Sequence, residues 1–396
     1  MNRAFEIRLY PTKEQQKLLN MTFGACRFVY NYVLSLRQIY YKEYSIKYNT
    51  LHIEHTLHAF YTWLSIVESC ALQQSTRDLD KAYANWFNSI FKKRKQNVKM
   101  PKFKKKSDKQ SYRTCQMRKD IFKLLDIKNR KIIIPKIGKV TYRSGYDFSK
   151  YDVIKVCNIT LKKSKTNKYF CSICCECNKP KYISPKYEET AFDLGLKDFS
   201  IFDSGEVIEN PKYFRKSQDK LAKEQRKLSH CVKGSKNYEK QKLKVAKIYE
   251  KVKNQRKDFQ HKISKQIVIE NQNIYSENLK PSNMIKNHKL AKSIQDAAFG
   301  QFCDFISYKS LMYHRNYIKI GQFFPSSKLC HHCGFKYKGL RLDERFWICP
   351  ECGTYLDRDE NAALNILKEG QRLFNLKTGQ VLSEEPIDTD YISNLE

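Results

Sequence analysis

The hydrophobic pattern of the chain begins with a strand and continues with helices. Apolar and polar residues alternate over residues 3–9, as in a strand with one buried face. Thr12 and Gln15 then form a capping box, and apolar residues follow at helical spacing, which predicts a helix. A second apolar stripe at this spacing runs from Leu79 to Ile90 and predicts a helix with one face in a core.

Short strand patterns dominate residues 121–177. Five segments in this range are rich in β-branched and aromatic residues: IFKLL, KIIIP, KVTYR, VIKVCNITL and KYFCSICCEC. The last two flank a hairpin turn predicted at 164–167. In the last segment, Cys171 and Cys174 would lie on opposite faces of a strand. This spacing favours a core strand with thiols over a second metal-binding cluster. Together the segments predict a small β-barrel or sheet.

The second half of the chain predicts strands and long helices in alternation. Asp193 lies within a strand pattern, and the turn Asp203-Ser204-Gly205 leads into the next strand. Residues 213–266 are rich in lysine and glutamine, and Gly234-Ser235 divides them into a predicted helical hairpin. The lysines of this hairpin suit a solvated surface and a nucleic-acid contact equally well.

Further strands and helices are predicted towards the C-terminus. One strand ends at Glu277, and another covers Tyr317–Ile320. Residues 293–314 predict a single helix, and another helix follows Asp359. A carboxylate buried without a partner is costly, so Asp193 is expected to face a cation or a hydrogen-bond donor. The alternative is an aspartate at the exposed end of a core strand.

Four cysteines form two CxxC pairs separated by fifteen residues: Cys330, Cys333, Cys349 and Cys352. This spacing suits one tetrahedral zinc ion, because each CxxC turn lets two sulfurs point at a common metal. Gly334 and Gly353 each follow the second cysteine of a pair, where the turn favours a positive φ. The pattern predicts a zinc ribbon, and four buried free thiols are the alternative.

Charge indicates a polyanionic partner. The 396-residue chain has 75 Lys and Arg against 41 Asp and Glu, a formal net charge of +34. Such an excess favours nucleic acid, with an affinity that falls steeply as salt rises. No apolar run approaches the length of about 18 residues that a membrane span needs, and the N-terminus lacks the apolar core of a signal peptide. We therefore expect no membrane partner, and a cytoplasmic location in a bacterium or archaeon or a nuclear one in a eukaryote.

Two basic segments are candidates for contact with phosphates. Residues 91–109 combine lysines and arginine with two phenylalanines, and the ribbon loop supplies three further candidates. The candidate contact residues are Lys92, Lys93, Arg94, Lys104, Lys105, Lys106, Lys336, Lys338 and Arg341. A solvated basic loop is the alternative, but the net charge favours phosphate contact. Such contacts hold a nucleic-acid backbone without reading its sequence.

Three carboxylates could form a metal-dependent nuclease site. Asp193 and Glu277 lie on predicted strands, and Asp359 lies at the start of a predicted helix. Like carboxylates at about 4 Å repel by roughly 4 kcal/mol at an effective dielectric near 20, so they are stable together only around cations. Two Mg2+ ions held there could activate water and stabilise the leaving oxygen of a phosphodiester. No Ser/His/Asp arrangement or GxxxxGK[ST] loop is evident in the sequence.

These motifs, taken in order, resemble the TnpB family of transposon-encoded, RNA-guided nucleases, which is related to type V CRISPR effectors. The resemblance spans nearly the whole chain up to about residue 370. It rests on RLYPTKEQQKLLNMTFGACRFVYN (8–31), FDLGLKDF (192–199), the SENL segment at Glu277, KNHKLAKSIQDAAFGQF (286–302), FFPSSKLCHHCG (323–334) and DRDENAALNIL (357–367).

The resemblance implies a multidomain α+β fold. A wedge-like β-barrel, a helical recognition module, an RNase H-like RuvC nuclease domain and a zinc-ribbon insertion are expected, with an acidic disordered tail at the end. The expected ranges are 1–12 and 105–184 for the barrel, 13–104 for the helical module, 185–324 and 354–372 for the nuclease domain, 325–353 for the ribbon and 373–396 for the tail.

The resemblance also implies a catalytic set and its cofactor. By motif match the catalytic residues are Asp193, Glu277 and Asp359, which would bind Mg2+, while the ribbon would bind structural Zn2+. Within the DRD motif the family's carboxylate corresponds to the second aspartate, so Asp359 is chosen over Asp357.

The segment around Glu277 departs from the family pattern. Relatives often have an acidic residue after the glutamate and an apolar run before it. Here Asn278 follows and Ser276 precedes, and Glu270 is the competing candidate.

The implied activity is cleavage of double-stranded DNA that matches a bound guide RNA derived from the transposon end. Base pairing would carry specificity, and the N-terminal half would read a short motif beside the target. A monomer is expected. The alternatives are a guided repressor that has lost cleavage and a transposase that acts directly on the element ends. A transposase is disfavoured because the sequence lacks a His-hydrophobe-His motif paired with a nucleophilic tyrosine.

Overall fold

A computed structural model describes residues 1–45, 53–91, 97–115, 119–288, 290–341 and 344–378. The chain divides into two compact units, Met1–Lys179 and Pro180–Glu396. The boundary expected between residues 184 and 185 falls slightly after this division.

The first unit combines a sheet with helices. Its elements in chain order are β1 (Asn2–Tyr10), α1 (Lys13–Tyr44), α2 (Ile53–Phe60), α3 (Ser69–Ile90), β2 (Gln110–Cys115), α4 (Ile121–Leu124), β3 (Leu125–Asp126), β4 (Lys131–Ile134), β5 (Gly138–Arg143), β6 (Val153–Lys163) and β7 (Tyr169–Cys177). Short 3-10 turns lie at Thr62–Ile66 and Phe148–Lys150. The seven strands form one sheet in the order β2-β6-β7-β1-β5-β4-β3. Within the described residues no pairing joins β2 to β3, so hydrogen bonding does not close the expected barrel.

The predicted pattern of the first strand and helix is confirmed. Phe5, Ile7 and Leu9 are buried on one face of β1, which lies in the sheet between β5 and β7. Thr12 and Gln15 cap α1 through reciprocal side-chain to backbone bonds. The strand β7 buries alternate residues, so its cysteines divide between two faces as predicted and form a core strand.

Two local predictions in the first unit are wrong. The IFKLL segment starts with a helical turn, α4, because the Asp120 carboxylate accepts the Phe122 amide (2.8 Å) and caps that turn. The second apolar helix, α3, is buried as far as Leu79, but its last turn is not in the core, because Ile90 is 53% exposed.

The second unit places a sheet between two layers of helices. Its elements are β8 (Tyr187–Asp193), β9 (Asp198–Phe202), β10 (Val207–Glu209), α5 (Tyr213–Ser229), α6 (Lys236–Glu270), β11 (Asn271–Glu277), α7 (Pro281–Met284), α8 (Ala291–Ala297), α9 (Phe299–Tyr313), β12 (Asn316–Ile320), β13 (Phe346–Ile348), β14 (Tyr355–Asp357) and α10 (Arg358–Thr378). The five-stranded sheet has the order β10-β9-β8-β11-β12, and β13 pairs with β14 separately. The strand β11 lies between β8 and β12 and is parallel to both.

Side chains alternate between the two faces of this sheet. Phe192 and Ile274 pack into a core with α6 and α9, whereas Ala191 and Tyr275 pack against α10 on the opposite face. Both faces of β8 and β11 are therefore covered, as expected for parallel strands. The sheet edge at the carboxyl ends of these strands is where their last residues, Asp193 and Glu277, lie.

Two helix predictions need correction, and the hairpin prediction is confirmed. Ser235 caps α6 and separates it from α5. The single helix expected over 293–314 is two helices, because Ala298 has a φ of 51° and the buried Gln260 amide donates to the Ala297 carbonyl at 2.8 Å. The expected tail is helical over 373–378, where Phe374 packs against the core, and its remainder lies outside the described residues.

Candidate active site and zinc site

Asp193 and Glu277 lie at the ends of neighbouring parallel strands. The register of β8 and β11 places Phe192 beside Ser276, so the next residue of each strand reaches the same edge of the sheet. Neighbouring strands are about 4.8 Å apart, close enough for two carboxylates to interact. Glu270 is the last residue of α6 and lies at the opposite end of β11. The strand register therefore brings Glu277, and not Glu270, to Asp193.

Asp359 reaches the same site from the first turn of α10. This helix packs across β8 and β12, and the charge of Asp359 acts on the Asp193 carboxyl. Its neighbour Asp357 has a different task. Asp357 Oδ1 accepts the backbone amides of Asp359 (2.8 Å) and Glu360 (3.1 Å), which satisfies two free N–H groups at the start of the helix. The structure therefore assigns the two aspartates of the DRD motif to different positions.

The environment of the site disfavours the ionised form of its own buried carboxyl groups. Burial, followed by the charges of Glu277 and Asp359, raises the pKa of Asp193 to about 8, against a hydrogen bond from the Leu194 amide (2.9 Å). Burial also raises the pKa of Glu277, and the Ser326 hydroxyl acts in the opposite direction. A buried carboxyl group whose pKa is raised by neighbouring carboxylates is typical of a site that binds cations.

The donor set fits magnesium. Each of the three side chains offers hard oxygen ligands, which Mg2+ prefers over nitrogen or sulfur. Among the described residues, no hydrogen bond occupies Asp193 Oδ2 or Glu277 Oε2. These oxygens, with the carboxylate of Asp359, would hold the ion at the sheet edge.

Two side chains that contact the carboxylates were missed by sequence reasoning. Ser326 Oγ donates to Glu277 Oε1 at 2.5 Å, and Arg345 forms an ion pair with Asp359. Neither stands out in the sequence. Ser326 is one of two adjacent serines between β12 and the first cysteine, and Arg345 is one of several cations in the ribbon.

The four ribbon cysteines converge as predicted. Their sulfurs all lie within 4.8 Å of one another, with Cys330 to Cys352 at 3.7 Å and Cys333 to Cys349 at 3.6 Å. Four sulfurs at about 2.3 Å from one tetrahedral zinc ion would be about 3.8 Å apart, so the cluster fits zinc. Gly334 and Gly353 have φ values of 77° and 71°, as predicted for the two turns. Within the described residues the four sulfurs are the only group of three or more His, Cys, Asp or Glu ligand atoms that all lie within 4.8 Å of one another. The carboxylates of Asp193, Glu277 and Asp359 are near enough for the charges of Glu277 and Asp359 to act on Asp193, but their oxygens do not all lie within this distance.

The candidate phosphate contacts lie in different environments. Lys92, Lys93 and Arg94 lie outside the described residues. Lys105, Lys106, Lys336, Lys338 and Arg341 are exposed. Lys104 is exposed as well, but its ammonium lies 3.6 Å from the centroid of the Tyr30 ring, and desolvation of the ammonium there lowers its pKa. Its contact with nucleic acid would require the ammonium to leave the aromatic ring.

Three family models match parts of the chain. Residues 172–288 match a model described as "Probable transposase", residues 299–366 match one described as "Cas12f1-like, TNB domain", and residues 1–45 match one described as "Helix-turn-helix domain". Together the first two cover the carboxylate-bearing strands, the ribbon and the start of α10. None of the described helices combines the length and apolar character needed to cross a membrane.

The fold places the chain in a structural class. A solved complex of Cas12f1 with guide RNA and target DNA matches 92% of this chain and 98% of that chain with a TM-score of 0.51 at 15% identity. The chain therefore has a Cas12f1-like fold of mixed α and β structure.

Sequence relatives narrow the class to a family. A Streptomyces pristinaespiralis protein provisionally named an RNA-guided DNA endonuclease is 34% identical over 379 residues, which are 93% of this chain and 90% of the relative. InsQ of Escherichia coli has the same provisional name and is 30% identical over 98% of both chains. A TnpB-like protein of Acanthamoeba polyphaga mimivirus is 25% identical over 92% of this chain and 72% of its own. The chain belongs to the TnpB family.

Proposed function

We propose that this protein is an RNA-guided DNA endonuclease of a transposable element. The observation that carries the proposal is the convergence of Asp193, Glu277 and Asp359 on one edge of the second unit's sheet. The names of its relatives and the Cas12f1 complex with guide RNA and target DNA support the same activity. We further propose that the strands and helices of the second unit form a RuvC-type nuclease domain with the ribbon inserted in it.

The three carboxylates would bind Mg2+ and hold it beside the scissile phosphate. When bound, the metal supplies an activated water and stabilises charge on the leaving oxygen. The roles of the chain follow from its elements. Asp193 and Glu277 are fixed by the paired ends of β8 and β11, and Asp359 is fixed by the capped start of α10. Because the strands and the capped helix hold the backbone, mainly the side chains of these ligands would have to adjust when the metal binds.

The ribbon would bind Zn2+ as a structural ion. Its buried apolar cluster is small, with Leu340, Trp347 and Leu356 beside two cysteines, so we propose that the metal supplies much of its stability. The segment after the last ribbon cysteine forms β14, and Arg358 alone separates this strand from Asp359. Zinc would then act on the reaction only by holding the segment that leads to this carboxylate.

The partners are a guide RNA from the transposon end and double-stranded DNA with a short adjacent motif. The net charge of +34 supports binding to nucleic acid. We propose that the sheet of the first unit is the wedge-like domain and that α1, α2 and α3 belong to the recognition module. We also propose that the active complex contains a single copy of the chain.

The experiment is purification of the protein with its native RNA, sequencing of that RNA, and cleavage of a duplex that matches its guide segment. Cleavage that requires both Mg2+ and the match is expected, and Asp193→Ala should abolish it. Absence of a discrete RNA would overturn the guided function, and undiminished cleavage by Asp193→Ala would overturn the site. Binding of the matched duplex without cleavage would indicate a repressor, and strand-joined products would indicate a transposase.

A further inference from the structure

Ser326 connects the ribbon to one of the candidate catalytic carboxylates. Its hydroxyl donates to Glu277 Oε1 at 2.5 Å, a length typical of a hydroxyl bound to a charged carboxylate. Ser326 is 5% exposed, whereas the adjacent Ser327 is half-buried and makes no hydrogen bond to Glu277. The contact therefore depends on one of two neighbouring serines, although the sequence does not distinguish them.

The backbone around Ser326 is held by α10. The Asn365 amide nitrogen donates to the Ser326 carbonyl (2.8 Å) and to the Leu329 carbonyl (2.7 Å). One turn earlier, Asn361 donates to the Leu329 carbonyl at 2.7 Å and accepts the His331 amide at 2.9 Å. Both asparagines are buried, and both lie on the helix that begins beside Asp359.

These hydrogen bonds attach the backbone of Ser326 to α10. The same helix presents Asp359 and anchors the segment from Ser326 to His331, which leads into the first zinc-binding turn. A hydroxyl held in this way can determine which oxygen of Glu277 is available. With Oε1 bound to Ser326, Oε2 has no hydrogen-bond partner among the described residues.

We propose that Ser326 is a positioning residue for metal binding, which orients Glu277 so that its second oxygen faces the cation. The proposal rests on the proposed function only in that Glu277 is taken as a metal ligand. Groups that hydrogen-bond to a metal ligand restrict its orientation, and their loss commonly weakens metal binding by about 10-fold to 100-fold. Without the hydroxyl, Glu277 could rotate, and one of its oxygens would lose its buried partner.

The test is a calorimetric titration of Mn2+ into the full-length protein, which needs neither guide RNA nor cleavage. We compare wild type with Ser326→Ala, Ser326→Thr and the matched control Ser327→Ala. Ser326→Ala is expected to weaken binding by about tenfold. Ser326→Thr, which keeps the hydroxyl, should stay within about threefold of wild type, and Ser327→Ala should not differ from it. Thermal unfolding of each variant reports on folding separately.

Each outcome bears on one claim. Wild-type binding by Ser326→Ala, or equal weakening by both alanine variants, would overturn the role of Ser326. If Ser326→Ala does not fold, Ser326→Thr remains as the test. A folded Ser326→Thr variant that keeps the hydroxyl but does not bind Mn2+ would exclude orientation of Glu277 by that hydroxyl. If Mn2+ binding follows the proposal but no DNA is cut by the wild-type complex, the positioning role stands and the proposed endonuclease function fails.

Discussion

Asp357 holds the backbone of Asp359. The Asp357 carboxylate accepts the amide of Asp359 at 2.8 Å and that of Glu360 at 3.1 Å, and so closes the first turn of α10. A side-chain oxygen that accepts backbone N–H groups at the start of a helix usually stabilises the helix by about 1 kcal/mol. The two aspartates of the DRD motif are thus a cap and a candidate metal ligand, and a conservative change should separate them.

Substitution by asparagine distinguishes the role of Asp357 from that of Asp359. Asn caps a helix about as well as Asp, so Asp357→Asn should alter stability by less than about 0.5 kcal/mol and leave most of the cleavage rate. Asp359→Asn removes a charged ligand and should lower the single-turnover rate by about a thousandfold, equivalent to about 4 kcal/mol. Both rates are measured on guide-bound complexes with a matched duplex. Equal losses in the two variants would show that the roles assigned here are wrong.

The raised pKa of Asp193 predicts how stability depends on pH in protein stripped of Mg2+. Its folded pKa, about 8, lies above the ordinary value of 3.8, so the folded state holds the proton more tightly than the unfolded state. The stabilisation from this proton is complete below about pH 4 and is lost as pH rises towards 8. Asp193→Asn is neutral at every pH and keeps an acceptor for the Leu194 amide.

The measurement is the melting temperature of wild type and Asp193→Asn between pH 5 and pH 9 in chelator. The variant should gain stability relative to wild type as pH rises, by a few degrees at about pH 8, and the gap should then level off. Added Mg2+ should reduce the gap, because it binds only the wild-type site well. A gap that is constant with pH would contradict the raised pKa.

Much of the candidate site could be predicted from local sequence. The CxxC spacing determines which sulfurs can share a metal, and the strand patterns place Asp193 on one strand and Glu277 at the end of another. Ser326 could not be found in this way. Its contact with Glu277 joins residues 49 positions apart and depends on the hydrogen bond from Asn365 of α10 to the Ser326 backbone. The spacing of apolar residues along the chain gives no sign of such a contact.

Predictions from local sequence patterns were also wrong where tertiary contacts determine the backbone conformation. Nothing in the apolar stripe of 293–314 indicates the break at Ala298, which depends on the Gln260 side chain from α6. The IFKLL segment is apolar enough for a strand, but the Asp120 cap turns its first residues into a helix. Short apolar runs suit either structure, and capping or packing then decides.

Loss of zinc should disorder the ribbon. Cys330→Ser removes a buried ligand, so the bound zinc, expected at one ion per chain, should be lost. The segment between the cysteine pairs should then become sensitive to protease, and cleavage of DNA should fall because β14 leads from the ribbon to Asp359. Cys174→Ser on β7 is the control, because this half-buried thiol lies outside the cluster. Zinc content by emission spectroscopy and limited proteolysis are the measurements, and full zinc retention by Cys330→Ser would refute the assignment.

Gly370 allows α10 to pack closely against β11, the strand that carries Glu277. A Cβ at this position would lie 2.4 Å from the Cγ and Cδ1 atoms of Tyr275, two residues before Glu277 on β11. Tyr275 is fully buried, so neither the ring nor the helix can move without disturbing the core. Gly370→Ala should therefore lower the free energy of unfolding by about 2–3 kcal/mol, although alanine is the better helix former.

Gly300→Ala is the matched control for this change. Gly300 lies in α9, and a Cβ there would meet only Pro281 Cγ at 3.5 Å, an ordinary contact. Because no atom has to move, helix propensity should decide, and the substitution should be neutral or stabilise by up to about 1 kcal/mol. Chemical denaturation of both variants in chelator measures the difference without reference to activity. Since α10 carries Asp359 and β11 carries Glu277, a destabilised Gly370→Ala should also bind Mn2+ more weakly, whereas Gly300→Ala should bind it as wild type does. Similar stability in the two variants would mean that α10 is not held against Tyr275 as described.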